Sequence, residues 1–228
     1  MKVRIRFSKK GALVYIGHLD VMRYFQKLFR RASIPVEYSA GFSPHQLLSF
    51  TPPLPLGMES DGEYADVELT GPVASEEALR RLRAASVPEI EIHSFKALPE
   101  KCENAMASVA ASEYTVRFSA SPDINLKEAV ASFTAKKEVL ILKKTKKSEK
   151  EIDLRPLVYS IGCCEECIRM LISSGSSDNI KPELVINAII APYGITVGRS
   201  DLIMRREDQY TSSDGSLISL DDVGAVII

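Results

Sequence analysis

The sequence contains no tryptophan, only three histidines and four cysteines among its 228 residues, and no excess of charge of either sign. Its formal net charge is −1, whereas nucleic-acid-binding proteins typically have an excess of basic residues. No apolar run approaches the roughly 18 residues that a membrane-spanning helix needs, and the start, MKVRIRFSKKG, alternates charged and apolar residues. We therefore expect a cytoplasmic protein with no membrane partner, in a reducing compartment that favours free thiols over disulfides.

Common catalytic motifs are absent too. The chain has no Gly-rich phosphate loop, no G-x-S-x-G and no H-E-x-x-H. Cys163, Cys164 and Cys167 form CCEEC, which lacks the C-x-x-x-C-x-x-C spacing of a radical-SAM cluster. No second cysteine pair is present to complete a structural zinc site. We expect buried or incidental thiols, no metal and no cofactor.

What the sequence does contain is an ordinary globular composition, 45% hydrophobic and 26% charged. In the first half, Val3, Ile5 and Phe7 alternate with basic residues, which predicts a strand with one buried and one basic face. Apolar residues at helical spacing predict a helix from His18 to Ala32. Further strands are predicted at 35–39, 63–70 and 90–92, and a second helix at 75–85, while residues 47–50 could add a strand inside the connection between 39 and 63. This βαββαβ order is that of a ferredoxin-like sandwich.

The second half repeats the rhythm. The predicted elements are strands at 114–118, 138–142, 168–173 and 195–197, helices at 126–133 and 183–190, and an inserted helix at 153–161. We predict an α+β fold of two tandem ferredoxin-like modules, the second degraded or elaborated. The predicted boundaries are 1–100 for the first module, with its long Pro/Gly-rich loop, and 101–210 for the second, with its Lys-rich segment. Residues 211–228 form a C-terminal tail that is either loosely tethered or docked on a neighbour.

One connection in the first half is unusually long. It reads YSAGFSPHQLLSFTPPLPLGMESDGEY and is rich in proline and glycine. Long ordered loops in compact domains are disproportionately functional, and the prolines favour a fixed shape. The stretch from His18 to Glu63, which contains this loop, is therefore the predicted working surface.

Several spaced segments in this stretch resemble a known family. GHLD, RRASIPVEYSAGFSPHQLLSF and PLPLGMESDGEY together resemble the uncharacterised bacterial family of radical-SAM-linked proteins, as do the later DLRP and KPELVINAI. The resemblance implies association with a radical-SAM enzyme, as a neighbouring or fused partner, and a link to RNA metabolism or translation. The chain departs from the family's Asn-Pro-His-Pro-Lys: Ser43, Gln46 and Leu47 replace the asparagine, the second proline and the lysine.

Imidazoles and carboxylates in the same stretch are the candidate functional groups. If the loop folds back, they could converge on a metal or polar ligand, and His18 and His45 are the only candidates for acid or base catalysis. The alternative is structural: Asp20 complements the helix dipole, His18 caps or packs, and His45 holds the loop. The predicted partner- or ligand-binding residues are His18, Asp20, Arg31, Ser39, Gly41, Phe42, Pro44, His45, Glu59 and Glu63.

A lysine-rich segment, EVLILKKTKKSEKEIDLRP, is the second candidate surface. Clustered lysines neutralise phosphates without reading sequence, so RNA is a possible partner. The alternative is a solvated hairpin whose lysines discourage edge pairing. The predicted RNA-binding residues are Lys143, Lys144, Lys146, Lys147 and Arg155.

On strand one, the simpler interpretation of the basic residues is ionic. In a ferredoxin-like sheet Arg4 and Arg6 lie beside Asp66 and Glu68, which predicts cross-strand ion pairs on an open face. Combined with the radical-SAM association that the resemblance implies, these patterns favour a non-catalytic partner of such an enzyme that docks the enzyme, RNA or both. The alternatives are an autonomous RNA-processing or RNA-modifying enzyme that uses His18 or His45, and a small metal-binding protein.

Overall fold

The computed structural model of the protein describes residues 1–144, 149–175 and 178–228. Its helices and strands are, in chain order, β1 Lys2–Lys9, α1 His18–Arg31, β2 Leu48–Phe50, β3 Glu59–Glu68, α2 Ser75–Ala85, β4 Ile92–Ala97, α3 Ala105–Ser108, β5 Ala111–Phe118, α4 Leu126–Ala135, β6 Leu140–Lys144, β7 Glu149–Asp153, β8 Val158–Cys163, β9 Ile168–Ser173, α5 Pro182–Ile190, β10 Leu202–Ser213 and β11 Ser216–Ser219. The fold is mixed α+β, as predicted. In the described parts of the chain, no helix has the length and apolar character needed to cross a membrane.

The chain divides into two compact units. Unit 1 comprises Met1–Ala110 and Arg206–Ile228, and unit 2 comprises Ala111–Arg205. Strand β10 therefore starts in unit 2 and ends in unit 1.

The sheet of unit 1 has the strand order β4-β1-β3-β2, with every pair antiparallel. Val67 is the register partner of Val3 on one side and of Leu48 on the other, so β1 and β2 lie on opposite edges of β3. The last part of β10 also pairs with β3. This arrangement brings the ends of β1, β3 and β10 into one region, where the candidate site lies.

Helices α1 and α2 cover one face of this sheet. The apolar residues of α1 recur at three- and four-residue steps, and Phe25, Leu28 and Phe29 are fully buried. Phe25 packs on Phe7 of β1, with ring centroids 4.5 Å apart, and on Phe50 of β2 at 5.4 Å. Each such ring or aliphatic side chain contributes roughly 1.5–3 kcal/mol when it leaves water, so this contact layer positions the start of α1 firmly.

The other face of β1 is buried as well, although the sequence predicted an open face there. Arg4 and Asp66 are register partners and form a bidentate ion pair, with Nε–Oδ1 at 2.7 Å and Nη2–Oδ2 at 2.9 Å. The predicted cross-strand pairing is therefore confirmed for Arg4 and Asp66, but both side chains are buried. Arg6 pairs instead with Asp208 at 3.9 Å, and Glu68 pairs with Lys2 at 3.9 Å. A sequence alone could not show that the C-terminal residues contribute to unit 1.

Residues 211–228, predicted to be a tail, are held by unit 1. Tyr210 and Ser219 pair in the β10–β11 hairpin, and Leu220 is fully buried. Ala225 then forms an isolated bridge with Ala97, and the amide of Ile227 donates to Ser75 Oγ at 2.9 Å.

In unit 2 the strand order is β5-β9-β8, again antiparallel, with the first residues of β10 beside β5. The predicted helix at 153–161 is wrong: a 3-10 turn at Arg155–Leu157 leads directly into β8. The predicted strand at 138–142 exists as β6, but it pairs with β7 in a separate hairpin, and β8 takes its place in the sheet. The predicted strand at 195–197 is also wrong, because the side chain of Asn187 binds both backbone groups of Val197.

Candidate functional site

A buried ion pair forms the floor of the candidate site in unit 1. Arg206 of β10 grips Glu63 of β3 with two bonds, Nε–Oε1 at 2.8 Å and Nη2–Oε2 at 2.6 Å. The same guanidinium donates to the carbonyl of Pro52 at 3.2 Å. Both partners are more than nine-tenths buried, Arg206 being 3% and Glu63 6% exposed. A buried bidentate pair of this kind fixes geometry strongly, because removing either partner leaves an uncompensated charge.

A second buried cation lies beside this pair. Lys9, the last residue of β1, is 3% exposed, and its Nζ donates to the carbonyl of Ile16 at 3.0 Å. The register of β1 against β3 shifts between Phe7 and Lys9, and such an irregularity re-aims side chains at a strand end. Burial lowers the pKa of Lys9 below its usual value, Glu63 opposes that shift and Arg206 adds to it.

His18 closes the site from the helix side. It is the first residue of α1, and its ring meets Phe50 edge to face with centroids 5.6 Å apart. Burial lowers the pKa of its imidazole, with Glu63 opposing and Lys9 reinforcing the shift. Among the described residues, none accepts or donates a hydrogen bond at the ring nitrogens of His18. The imidazole is therefore available to a ligand.

Together these groups line a small cavity, which we call the Lys9 pocket. Its lining residues are Phe7, Lys9, His18, Val21, Phe50, Thr51, Pro53, Leu54 and Glu63. Its volume of about 20 Å³ has room for roughly one water-sized group. Most of these residues are apolar, and the polar ones are Lys9, His18, Thr51 and Glu63, a combination common in ligand sites.

Close backbone approach supports the floor of the pocket. Gly62 lies so near β10 that a Cβ built on it would be 2.5 Å from Asp208 Cα. Gln209 is fully buried, and its Nε2 donates to the carbonyl of Gly62 at 2.7 Å and to Thr51 Oγ1 at 3.0 Å. Its Oε1 has no partner within the described part of the chain.

Of the predicted site residues, His18 and Glu63 line the Lys9 pocket. Asp20 is exposed and accepts from Arg23 at 3.3 Å, while Glu59 is exposed and accepts from the amide of Gly11 at 3.3 Å. The predicted convergence of these carboxylates with His18 is therefore wrong.

The remaining predicted residues of this stretch lie around an exposed hairpin. His45 is exposed, and its Nδ1 bonds to Ser39 Oγ at 2.9 Å, as expected for a loop-holding histidine. Gly41, Phe42 and Pro44, at the tip, are all exposed. Arg31 lies at the end of α1, where it donates to the carbonyl of Ala85 at 3.2 Å.

The predicted RNA-binding residues are only partly described. The backbone of Lys143 and Lys144 belongs to β6, and Lys146 and Lys147 lie outside the described residues. Arg155 donates to the carbonyl of Lys136 at 3.2 Å and its guanidinium lies 5.4 Å from the ring centroid of Phe133.

The cysteine prediction is partly wrong. Cys164 and Cys167 form a disulfide in the turn between β8 and β9, while Cys102 and Cys163 are free thiols. None of the four is buried. Across 1–144, 149–175 and 178–228, no group of three or more histidine, cysteine or acidic side chains is placed to hold a metal ion.

Sequence reasoning missed four residues of the site: Lys9, Thr51, Arg206 and Gln209. Lys9 belongs to a run of basic residues in which nothing marks the one that turns inward. Arg206 and Gln209 come more than 140 positions after Glu63 and Gly62, the residues that they bind. The one available signal was the apolar, charge-interrupted pattern of Leu202 to Tyr210, which is typical of a strand.

The chain matches the model of a known protein family. Residues 2–182 match the model of the family described as "Uncharacterized protein conserved in bacteria (DUF2344)". The chain belongs to this family. The match confirms the predicted membership of an uncharacterised bacterial family, and the matched segment contains Lys9, His18 and Glu63 but ends before Arg206.

Other comparisons for this DUF2344 protein concern the fold. No curated protein matches the chain. Among solved structures, the chain is similar to one in "Crystal Structure of a Cbf5-Nop10-Gar1 Complex", with 13% identity and a TM-score of 0.51. The similarity covers 96% of this chain and 53% of the other, so the chain spans about half the length of that protein. A likeness at this identity concerns the fold alone.

Proposed function

We propose that the protein is a non-catalytic partner of a radical-SAM enzyme, and that it docks the enzyme with the surface around the Lys9 pocket. The observation that carries the proposal is a set of exposed apolar side chains on segments close in sequence to the pocket's lining residues. We call Tyr15, Leu19, Pro53 and Leu56 the docking rim. Tyr15 is 74%, Leu19 65% and Leu56 60% exposed. Exposed apolar side chains that adjoin one another are a mark of interaction surfaces.

The members of the docking rim are held close together. The amide of Gly57 donates to the carbonyl of Val14 at 3.0 Å, which ties the loop that carries Leu56 to the turn that carries Tyr15. A Cβ on Gly57 would lie 3.8 Å from the ring of Tyr15. Leu19 is the residue after His18 in α1, and both His18 and Pro53 line the pocket. A rim fixed in this way loses little conformational entropy on binding.

RNA contact is the second part of the proposal. In the β6–β7 hairpin, the backbone positions of Lys143 and Lys150 are register partners, and Lys144 is opposite Glu149. The lysines of this segment support phosphate binding by the hairpin, which is close in sequence to Arg155. The enzyme partner and RNA metabolism come to this chain from the family resemblance, and the hairpin is the surface we assign to RNA.

We also propose that each unit is a ferredoxin-like module. In unit 1, the antiparallel order β4-β1-β3-β2 with helices after β1 and β3 supports this. In unit 2, β5, β8 and β9 with α4 and α5 support an equivalent arrangement, elaborated by the inserted β6–β7 hairpin.

Co-expression with a radical-SAM enzyme of the same bacterium tests the docking proposal. Leu19→Lys should weaken co-purification by about tenfold or more, since a charge at the centre of an apolar interface is costly. Ile203→Lys, at 62% exposure on β10, is the matched control and should leave the complex intact. Failure of the wild-type proteins to associate, or equal effects of the two variants, would refute the proposal.

The alternative, an autonomous RNA-modifying enzyme, makes a different prediction. It is favoured by the unbonded ring of His18 in a pocket beside Lys9. Incubating the purified protein with cellular RNA and analysing the nucleosides by mass spectrometry decides between the two. Altered RNA that depends on His18, shown by its loss in His18→Ala with folding intact, would favour the enzyme.

A further inference from the structure

We propose that the Lys9 pocket is a carboxylate-binding site, and that its occupant is an acidic side chain of the docked partner protein. This inference rests on the proposed function, because it names the group that the partner inserts. It is carried by the charged groups of the pocket, by the unused donors of Lys9 and by the size of the cavity.

The charged groups of the pocket favour an anion. Glu63 is the carboxylate among the lining residues, and the buried guanidinium of Arg206 binds both of its oxygens. Lys9 is buried as well, and its Nζ binds a backbone carbonyl instead of a carboxylate. The ammonium of Lys9 is therefore the charge that an anion in the pocket would meet.

The hydrogen bonds show where that charge is unmet. Both oxygens of Glu63 bind the guanidinium of Arg206, at 2.8 and 2.6 Å. Lys9 has three N–H donors, and one of them binds the carbonyl of Ile16. Among the described carboxylates, none lies within ion-pair distance of Lys9 Nζ. An anion would stabilise a buried ammonium with unused donors, because the apolar side chains of Phe7 and Phe50 strengthen the electrostatic attraction.

The size of the pocket points to the end of a side chain. About 20 Å³ accommodates one small polar group and excludes a nucleotide or a sugar. The apolar lining residues are Phe7, Val21, Phe50, Pro53 and Leu54. A carboxylate would place one oxygen in this space, towards Lys9, and leave the rest of its side chain at the opening. The exposed docking rim then contacts the surface of the partner from which the side chain projects.

The first experiment uses acetate as the probe on the full chain. In ¹H–¹⁵N NMR at constant ionic strength, acetate should give saturable shifts of the amides of Thr51 and Leu54. Acetamide, a neutral compound of the same shape, should give none. Equal shifts with both compounds, or no saturable shift with acetate, would overturn the inference without the need for any variant.

Two lysine variants test whether acetate binds at Lys9. Lys9→Met removes the ammonium and keeps the stem, and acetate affinity should fall by about tenfold or more. Lys10→Met is the matched control: Lys10 binds Asp61 at 2.6 Å and does not line the pocket. Its acetate affinity should equal that of the wild type. Unchanged affinity in Lys9→Met would overturn the assignment.

The second experiment connects the pocket to the partner. Excess acetate, but not acetamide, should weaken the complex with the radical-SAM enzyme, and Lys9→Met should weaken it as well. If neither acetate nor Lys9→Met weakens the complex, the inference is overturned and the proposed function stands. The absence of any complex with the wild-type protein would overturn the proposed function itself, and with it the assigned occupant.

Discussion

Replacing Gly62 with alanine should destabilise unit 1 through a single methyl group. Gly62 belongs to β3, and a Cβ at this position would lie 2.5 Å from Asp208 Cα, 2.6 Å from the carbonyl oxygen of Glu207 and 2.9 Å from the amide nitrogen of Asp208. All three atoms belong to the backbone of β10, so no flexible side chain can move aside. The methyl group fits only if β10 moves away from β3.

The cost follows from what such a movement breaks. Overpacking a well-packed interior typically costs about 1–3 kcal/mol, and a rigid backbone neighbour places this change near the upper end. The movement would also stretch the bond of 2.7 Å from Gln209 to the carbonyl of Gly62 and the bidentate grip of Arg206 on Glu63. We expect a loss of about 3 kcal/mol in the free energy of unfolding.

Urea unfolding followed by circular dichroism measures this loss, with Gly71→Ala as the matched control. A Cβ on Gly71 meets no atom within 4 Å, and its backbone does not have the positive φ that favours glycine. That variant should be neutral or gain about 0.4–1 kcal/mol, because alanine restricts the unfolded chain. Surface substitutions usually change the free energy of unfolding by less than about 0.5 kcal/mol. If the effect of Gly62→Ala is no larger than that, the close approach of the two strands is refuted.

Three further perturbations have defined outcomes. Arg206→Met should lower the free energy of unfolding in urea by about 3–5 kcal/mol, because it leaves Glu63 buried without its guanidinium partner. Arg81→Met, in a more exposed ion pair, is the control and should change stability little. Similar effects of the two variants would contradict the role of burial. Burial lowers the pKa of His93 below 6.5, so on acidification the unfolded state binds the proton before the folded state does. Stability should therefore fall as the pH drops below 6.5. In His93→Gln the melting temperature should depend less on pH in this range, and an unchanged dependence would exclude His93 as the cause. Phe133→Ala, in the core of unit 2, should cost about 3–5 kcal/mol by calorimetry, and a loss below about 1 kcal/mol would contradict its burial.

Local patterns predicted most of the helices and strands, because they depend on residues near one another in sequence. The period of α1 and the alternation of β1 are visible in the chain and match the structure within one or two residues. The errors arose where pairing decided the outcome. Residues 153–161 have a mixed pattern, and β8 exists because β9 offers it an edge. The strand predicted at 195–197 was lost because Asn187 binds the backbone of Val197 instead.

The candidate site was less predictable than the fold, since its charges come from distant parts of the chain. His18 and Glu63 stood out through residue type and family resemblance. Lys9 did not, because its inward turn depends on the register shift after Phe7. Residue type alone also misled: Asp20 and Glu59 share the chemistry of Glu63, but they lie on exposed positions with local partners.

Arg206 determines what the pocket can bind, although it lies outside the matched family segment. If Glu63 were not engaged by the guanidinium, its carboxylate would be the natural partner of Lys9. Because Arg206 occupies both oxygens of Glu63, the ammonium of Lys9 keeps unused donors in an apolar cavity. The part of β10 from Arg206 onwards belongs to the same unit as β1 and β3, and the hairpin and bridge that follow hold this part of the strand in place. The C-terminal residues therefore do more than complete the fold of unit 1, since they hold the guanidinium that binds Glu63 and leaves the Lys9 ammonium for the proposed ligand.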